Sequence, residues 1–153
     1  AARTQLQERA IDLTLHHPLL GVGALMFADA VEDMVRANLG VKSGWQGAHN
    51  TYLEISAENG IPALIFYVWS LGLCFVLNYR AYKVCKREPS MAESLSQSLC
   101  LVLTTVAFTV GVLFCNNAYD PHVDVLVAIT AANSLAIESE LGAAKRALEG
   151  NPA

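Results

Sequence analysis

The stretch from His49 to Pro62, HNTYLEISAENGIP, places a histidine, an asparagine and two glutamates directly before the charge-free run Ile61 to Tyr79. Ionisable groups are costly to hold at the edge of a membrane and mark candidate sites there. Thr51 and Glu54 stand in capping-box spacing, which predicts a short helix that Gly60 ends, and Pro62 suits the first turn of the helix that follows. His49 and Asn50 then occupy the loop before a helix N-terminus, where backbone amides and the helix dipole favour an anion such as a phosphate group. On these residues alone, His49 reads either as a proton-transfer candidate or as a surface or capping residue. Glu54 has a structural task as the capping partner, whereas Glu58, on the same helical face, has none.

The elements that must position these residues are apolar. Hydrophobic residues make up 54% of the chain and charged residues 16%, on the apolar side of ordinary globular usage, and the excess falls in blocks. Ile61 to Tyr79 holds 19 residues without a charged side chain. As a helix this segment is roughly 28 Å long, close to the ~30 Å hydrocarbon thickness of a bilayer. Between Glu93 and Asp120 lie 26 further uncharged residues, with SLCLVLTTVAFTVGVLF at the centre, enough for a second span. Asp120 and Pro121 resemble an N-cap and first turn, but the clean apolar run after them, Val125 to Ile137, has 13 residues and contains Asn133. That length fits a third span, or a buried or re-entrant helix.

The expected fold class is all-α, an integral membrane helical protein with two to three transmembrane helices plus short amphipathic helices. The expected division is 1–60 as a loop region with short helices, 61–79 as a first span, 80–97 as a loop, 98–116 as a second span, 121–138 as a third and 139–153 as a tail. Arg80, Lys83, Lys86 and Arg87 follow the first span. Positive charge beside a span is retained on the cytoplasmic side, so residues 80–97 and the tail are expected inside and residues 1–60 and the Asn116 to Asp120 turn outside. A chain that opens on an amphipathic helical pattern, without a signal peptide, is expected to be a fragment of a larger polytopic protein.

Within residues 1–60 there are four basic against seven acidic residues, which argues against a nucleic-acid surface. A first helix is expected from Thr4 to His17, with Leu6, Ala10, Leu13 and His17 on one face and Pro18 ending it. LLGVG follows as a tight turn. A second helix from Ala24 to Leu39 aligns Phe27, Val31, Met34, Val35 and Asn38, pairs Glu32 with Arg36, and stops at Gly40. The four cysteines have no metal-ligand spacing and read as small buried hydrophobes, so no metal or cofactor is expected.

The order Arg3, Pro18, LLGVG and AHNTYLEISAENGIPALI resembles the C-terminal part of the O-antigen ligase and polymerase family. These are bacterial polytopic inner-membrane glycan transferases with an arginine, a helix ending in HPLxGVG, a variable periplasmic loop, and HNxYLxxxxExG leading into a membrane helix. The resemblance covers residues 3 to 80. It implies transfer of a glycan from an undecaprenyl-pyrophosphate carrier to an acceptor hydroxyl on a lipid A-core sugar, a glycan chain or a protein, at the periplasmic face of the inner membrane. It assigns His49 as the catalytic base, Arg3 to the pyrophosphate, and Asn50 and Glu58 to substrate binding or orientation. The implied partners are the lipid-linked donor, the acceptor and membrane lipids, and this segment alone is expected to be inactive. Leu6 and Gln7 depart from the family, which often has a tryptophan there, and Arg36 and Lys42 in the compact loop match no motif. The alternative is a non-catalytic, transport-related member of the same superfamily, with His49 and Glu58 lining a polar pathway.

Overall fold

The structure, a computed structural model, describes residues 2–39, 47–88 and 91–149. Among these residues, five helices follow one another: α1 (Ala2–His16), α2 (Phe27–Leu39), α3 (Thr51–Cys85), α4 (Ala92–Gly111) and α5 (His122–Glu149). Among the described residues there is no strand, and α3, α4 and α5 are each long and apolar enough to cross a membrane. The fold is all-helical, as the hydropathy pattern predicts. α5 runs past Ile137, longer than its clean apolar run, while α4 stops at Gly111, where the Leu113 and Phe114 amides turn back onto the Val110 and Gly111 carbonyls. The expected stop at Gly40 and the charge at Lys42 lie outside the described residues.

The chain divides into two compact units, the first made of Ala1–Trp69 and Thr109–Asp120, the second of Ser70–Phe108 and Pro121–Ala153. In the first unit the apolar face of α1 (Leu6, Ala10, Leu13) and that of α2 (Phe27, Val31, Val35) share a core with Ala48 and Ala57. These are the faces that helical periodicity selects, and Arg36 meets Glu32 at 3.1 Å on the exposed side. α2 starts at Phe27 rather than Ala24. Gly23 and Leu25 take positive φ (112° and 61°), and the Met26 amide donates to the Gly23 carbonyl, so the chain is still turning there.

α3 is broken at Gly60, whose φ of 84° and ψ of 174° belong to a region that only glycine occupies readily. The break frees backbone groups that the LLGVG turn takes up. Val22 and Gly23 donate to the Ala57 and Glu58 carbonyls, each at 2.9 Å, and the Ile61 amide donates to the Pro18 carbonyl at 2.8 Å. The backbones approach so closely that a Cβ on Gly60 would lie 2.5 Å from the Leu19 carbonyl oxygen, and one on Gly21 would meet the Glu58 carbonyl carbon. The two glycine motifs, distant in sequence, thus form one interlocked joint.

In the second unit Asn78 of α3 is completely buried and donates to Thr130 Oγ1 of α5 at 3.0 Å and to Thr105 Oγ1 of α4 at 3.4 Å. Its Oδ1 has no partner among the described residues. Asn133 Nδ2 donates to Ser98 Oγ at 3.3 Å, and Ser94 Oγ donates to Glu140 at 2.8 Å. Interhelical hydrogen bonds of this kind join spans where hydrophobic burial gives no preference for protein over lipid. An apolar cluster of Ala81, Cys85, Met91 and Ile137 lies beside them.

Candidate functional site

The candidate site lies in the first unit, where the start of α1, the loop before α3 and the segment after α4 converge. Arg3 Nη2 donates to the His49 carbonyl and to the Leu113 carbonyl, each at 3.0 Å, and its guanidinium stacks over the Phe114 ring at 5.1 Å. This clamp holds His49 at a φ of 50°, a conformation uncommon for a side-chain-bearing residue. The imidazole is exposed and makes no hydrogen bond with the described residues, so it is open to a reacting group. Arg3 and His49, the two residues that the family resemblance singles out for chemistry, are thereby brought together. Arginine carries five N–H donors in a planar fork, and the two carbonyl bonds recorded here come from one nitrogen.

Asn50 is the N-cap of α3. Its Oδ1 accepts from the Tyr52 amide at 3.0 Å and the Leu53 amide at 3.2 Å, and its carbonyl accepts from the Glu54 amide at 3.0 Å. This corrects the capping-box expectation: the cap sits one residue earlier than Thr51. Thr51 is instead buried, its hydroxyl donating to the Cys115 carbonyl at 2.9 Å and accepting from the Asn117 amide at 3.0 Å. Its amide donates to the Val112 carbonyl, and Tyr52 Oη donates to the Thr109 carbonyl at 2.9 Å. The first turns of α3 are therefore wrapped by residues 109–117.

Glu58 is buried, with its carboxylate accepting from the Phe27 amide at 2.9 Å, the Leu25 amide at 3.1 Å and the Tyr119 hydroxyl at 2.5 Å. It satisfies an amide that the start of α2 leaves without an intrahelical partner, and it holds Leu25 in its strained turn. Expected as substrate-binding groups, Asn50 and Glu58 have their side-chain oxygens occupied by the backbone that frames the site. The sequence offers Glu58 no such task because its partners lie 31 and 61 residues away.

Glu54, freed from the capping role, stands out in its place. Its Oε2 is buried without a hydrogen-bond partner among the described residues. Burial, and then the neighbouring Glu58 carboxylate, push its carboxyl up to about 7, with Asp120 adding to the rise and a hydrogen bond from the Ala118 backbone opposing it. Burial and the bond to Glu58 also raise the Tyr119 phenol. No signal in the residue pattern distinguishes Glu54 from an ordinary first-turn acid, because its environment is built by residues 118 and 120.

Among the described residues, three helices are long and apolar enough to cross a membrane, which fits a multi-pass membrane protein. Residues 1–68 match the family model described as O-antigen ligase, the same family that the Arg3, LLGVG and HNTYLEISAENG motifs resemble. No curated protein and no solved structure matches the chain. The family implies glycan transfer of the O-antigen ligase or polymerase type, and so glycosyltransferase-like activity in general.

Proposed function

We propose that the protein transfers a glycan from an undecaprenyl-pyrophosphate carrier to an acceptor hydroxyl at the periplasmic face of the bacterial inner membrane. The observation that carries this reading is the meeting of Arg3 and His49, 46 residues apart, within the family match. His49 Nδ1 or Nε2 takes the proton of the acceptor hydroxyl as its oxygen attacks the anomeric carbon. The bond from that carbon to the pyrophosphate breaks, and the carrier departs as undecaprenyl pyrophosphate. General-base help of this kind is typically worth about 10² to 10⁴ in rate. The unassigned N–H groups of Arg3 face the charge that grows on the leaving pyrophosphate. Asn50 and Glu58 act on the substrate through the frame they build, fixing the loop that presents His49. Arg80, Lys83, Lys86 and Arg87 beyond the first span support an orientation with this site away from the cytoplasm.

Substituting His49→Ala in the encoding cells tests the reading. Surface glycan should be lost, lipid-linked glycan should accumulate, and the protein should remain inserted in the membrane. Unchanged surface glycan with stable variant protein would refute it, and altered solute flux without a glycan defect would favour the transport-related alternative.

A further inference from the structure

We infer that the turn joining α1 to α2, with Leu19, Leu20 and Leu25 at its tip, is seated in the lipid of the leaflet that α3 enters at Ile61. The inference rests on the reading of Ile61 to Tyr79 as a membrane span. Leu19, Leu20 and Leu25 are 72%, 84% and 71% exposed, although the same unit has a formed core that buries Leu6, Leu13, Phe27, Val31 and Val35. Residues 13 to 28, LTLHHPLLGVGALMFA, contain no Asp, Glu, Lys or Arg, in an outer section otherwise rich in acids. Apolar side chains presented together in a charge-free segment mark a surface that is covered in use.

The joint at Gly60 shows what covers it. The Ile61 amide is bonded to the Pro18 carbonyl at 2.8 Å, and the Leu19 carbonyl lies against Gly60, so this turn is tied to the first residues of the uncharged run. At 1.5 Å of rise per residue, Leu19 and Leu20 sit within a few ångströms of the plane where the hydrocarbon begins. Leu25 follows at the level of Glu58, whose carboxylate holds its amide. α3 itself continues with exposed Ile61, Ile65 and Phe66. The turn therefore extends the apolar surface of the span sideways at the headgroup and acyl boundary, as interfacial apolar residues do. A left-handed leucine gains a purpose on this account: the strained backbone at Leu25 aims an apolar side chain away from the core.

The test is depth-dependent quenching of the protein reconstituted in phosphatidylcholine and phosphatidylglycerol vesicles. A fluorophore is attached at Leu20→Cys, with a second series at Leu19→Cys, after the exposed Cys100 and Cys115 are replaced by serine. Nitroxide lipids labelled near the headgroup should quench either probe several-fold more strongly than aqueous iodide. A probe at Glu8→Cys should show the reverse, and one at Leu73→Cys, within the charge-free run of α3, should respond to lipid alone. Iodide quenching at both leucine positions like that at Glu8 would overturn the inference, as would shielding from both quenchers, which would mean that protein covers the turn. Loss of lipid quenching at Leu73 would separately overturn the reading of Ile61 to Tyr79 as a span.

Discussion

Replacing Gly60 by alanine tests the joint on which the site is built. With φ at 84° and ψ at 174°, Gly60 occupies a conformation that costs a side-chain-bearing residue about 1 to 3 kcal/mol. The new Cβ would also stand 2.5 Å from the Leu19 carbonyl oxygen and 2.6 Å from its carbon, so the LLGVG backbone must retreat by nearly an ångström. That retreat pulls on the 2.8 Å bond from Ile61 to Pro18, with a net worth of about 1 kcal/mol. Together the losses come to about 3 kcal/mol or more, a large share of the ~5 to 15 kcal/mol that typically holds a domain folded. Thermal unfolding of the purified protein in detergent should shift down by about 10 °C. Gly72→Ala is the matched control in the same helix, because a Cβ there meets nothing within 4 Å. It should leave the midpoint unchanged or slightly raised, since alanine is favoured over glycine inside a helix. Equal midpoints for Gly60→Ala and Gly72→Ala would refute the interlocked joint.

Two further outcomes are expected. Asn50→Ala should lower stability by about 1 kcal/mol through loss of the α3 cap, whereas Asn50→Asp should keep it; glycan transfer lost in the Asp variant at unchanged midpoint would show that the amide also meets substrate. Glu54 has a raised pKa in the folded state, so it keeps its proton between the ordinary 4.5 and about 7, where the unfolded chain has released it. Its contribution to stability is complete below 4.5 and lost as pH rises through about 7, so the midpoint should fall from pH 5 to pH 8 and Glu54→Gln should flatten that fall. A Gln variant with the same pH slope as the parent would assign the dependence to another group.

The helical class was legible because it rests on local patterns. Charge-free runs mark α3 and α4, periodicity selects the buried faces of α1 and α2, and a glycine followed by a proline two residues later marks the break in α3. What the pattern missed arises from long-range pairing. Asn50 outcompetes Thr51 as the cap because the Thr51 hydroxyl is drawn to Cys115 and Asn117, more than sixty residues on. The same return segment supplies Leu113 and Phe114 to Arg3 and Tyr119 to Glu58, so a stretch that reads as a turn between spans forms one wall of the site. Arg3 illustrates both sides: the family motif points to its importance, but its grip on two main-chain carbonyls is visible only in three dimensions.

Asn78 has a consequence for how the protein is made. A helix released into lipid carrying a lone carboxamide leaves its donors and acceptor unsatisfied, and hydrocarbon offers no water to replace them. α3 emerges first during synthesis, so Asn78 waits until α4 delivers Thr105 and α5 delivers Thr130. If α3 to α5 are spans, the third helix, least apolar of the three by its clean run, gains a hydrogen bond from Asn78 to Thr130 on docking, in addition to its own partition energy. On that reading, docking of the last helix draws on a residue laid down 52 positions earlier in the chain.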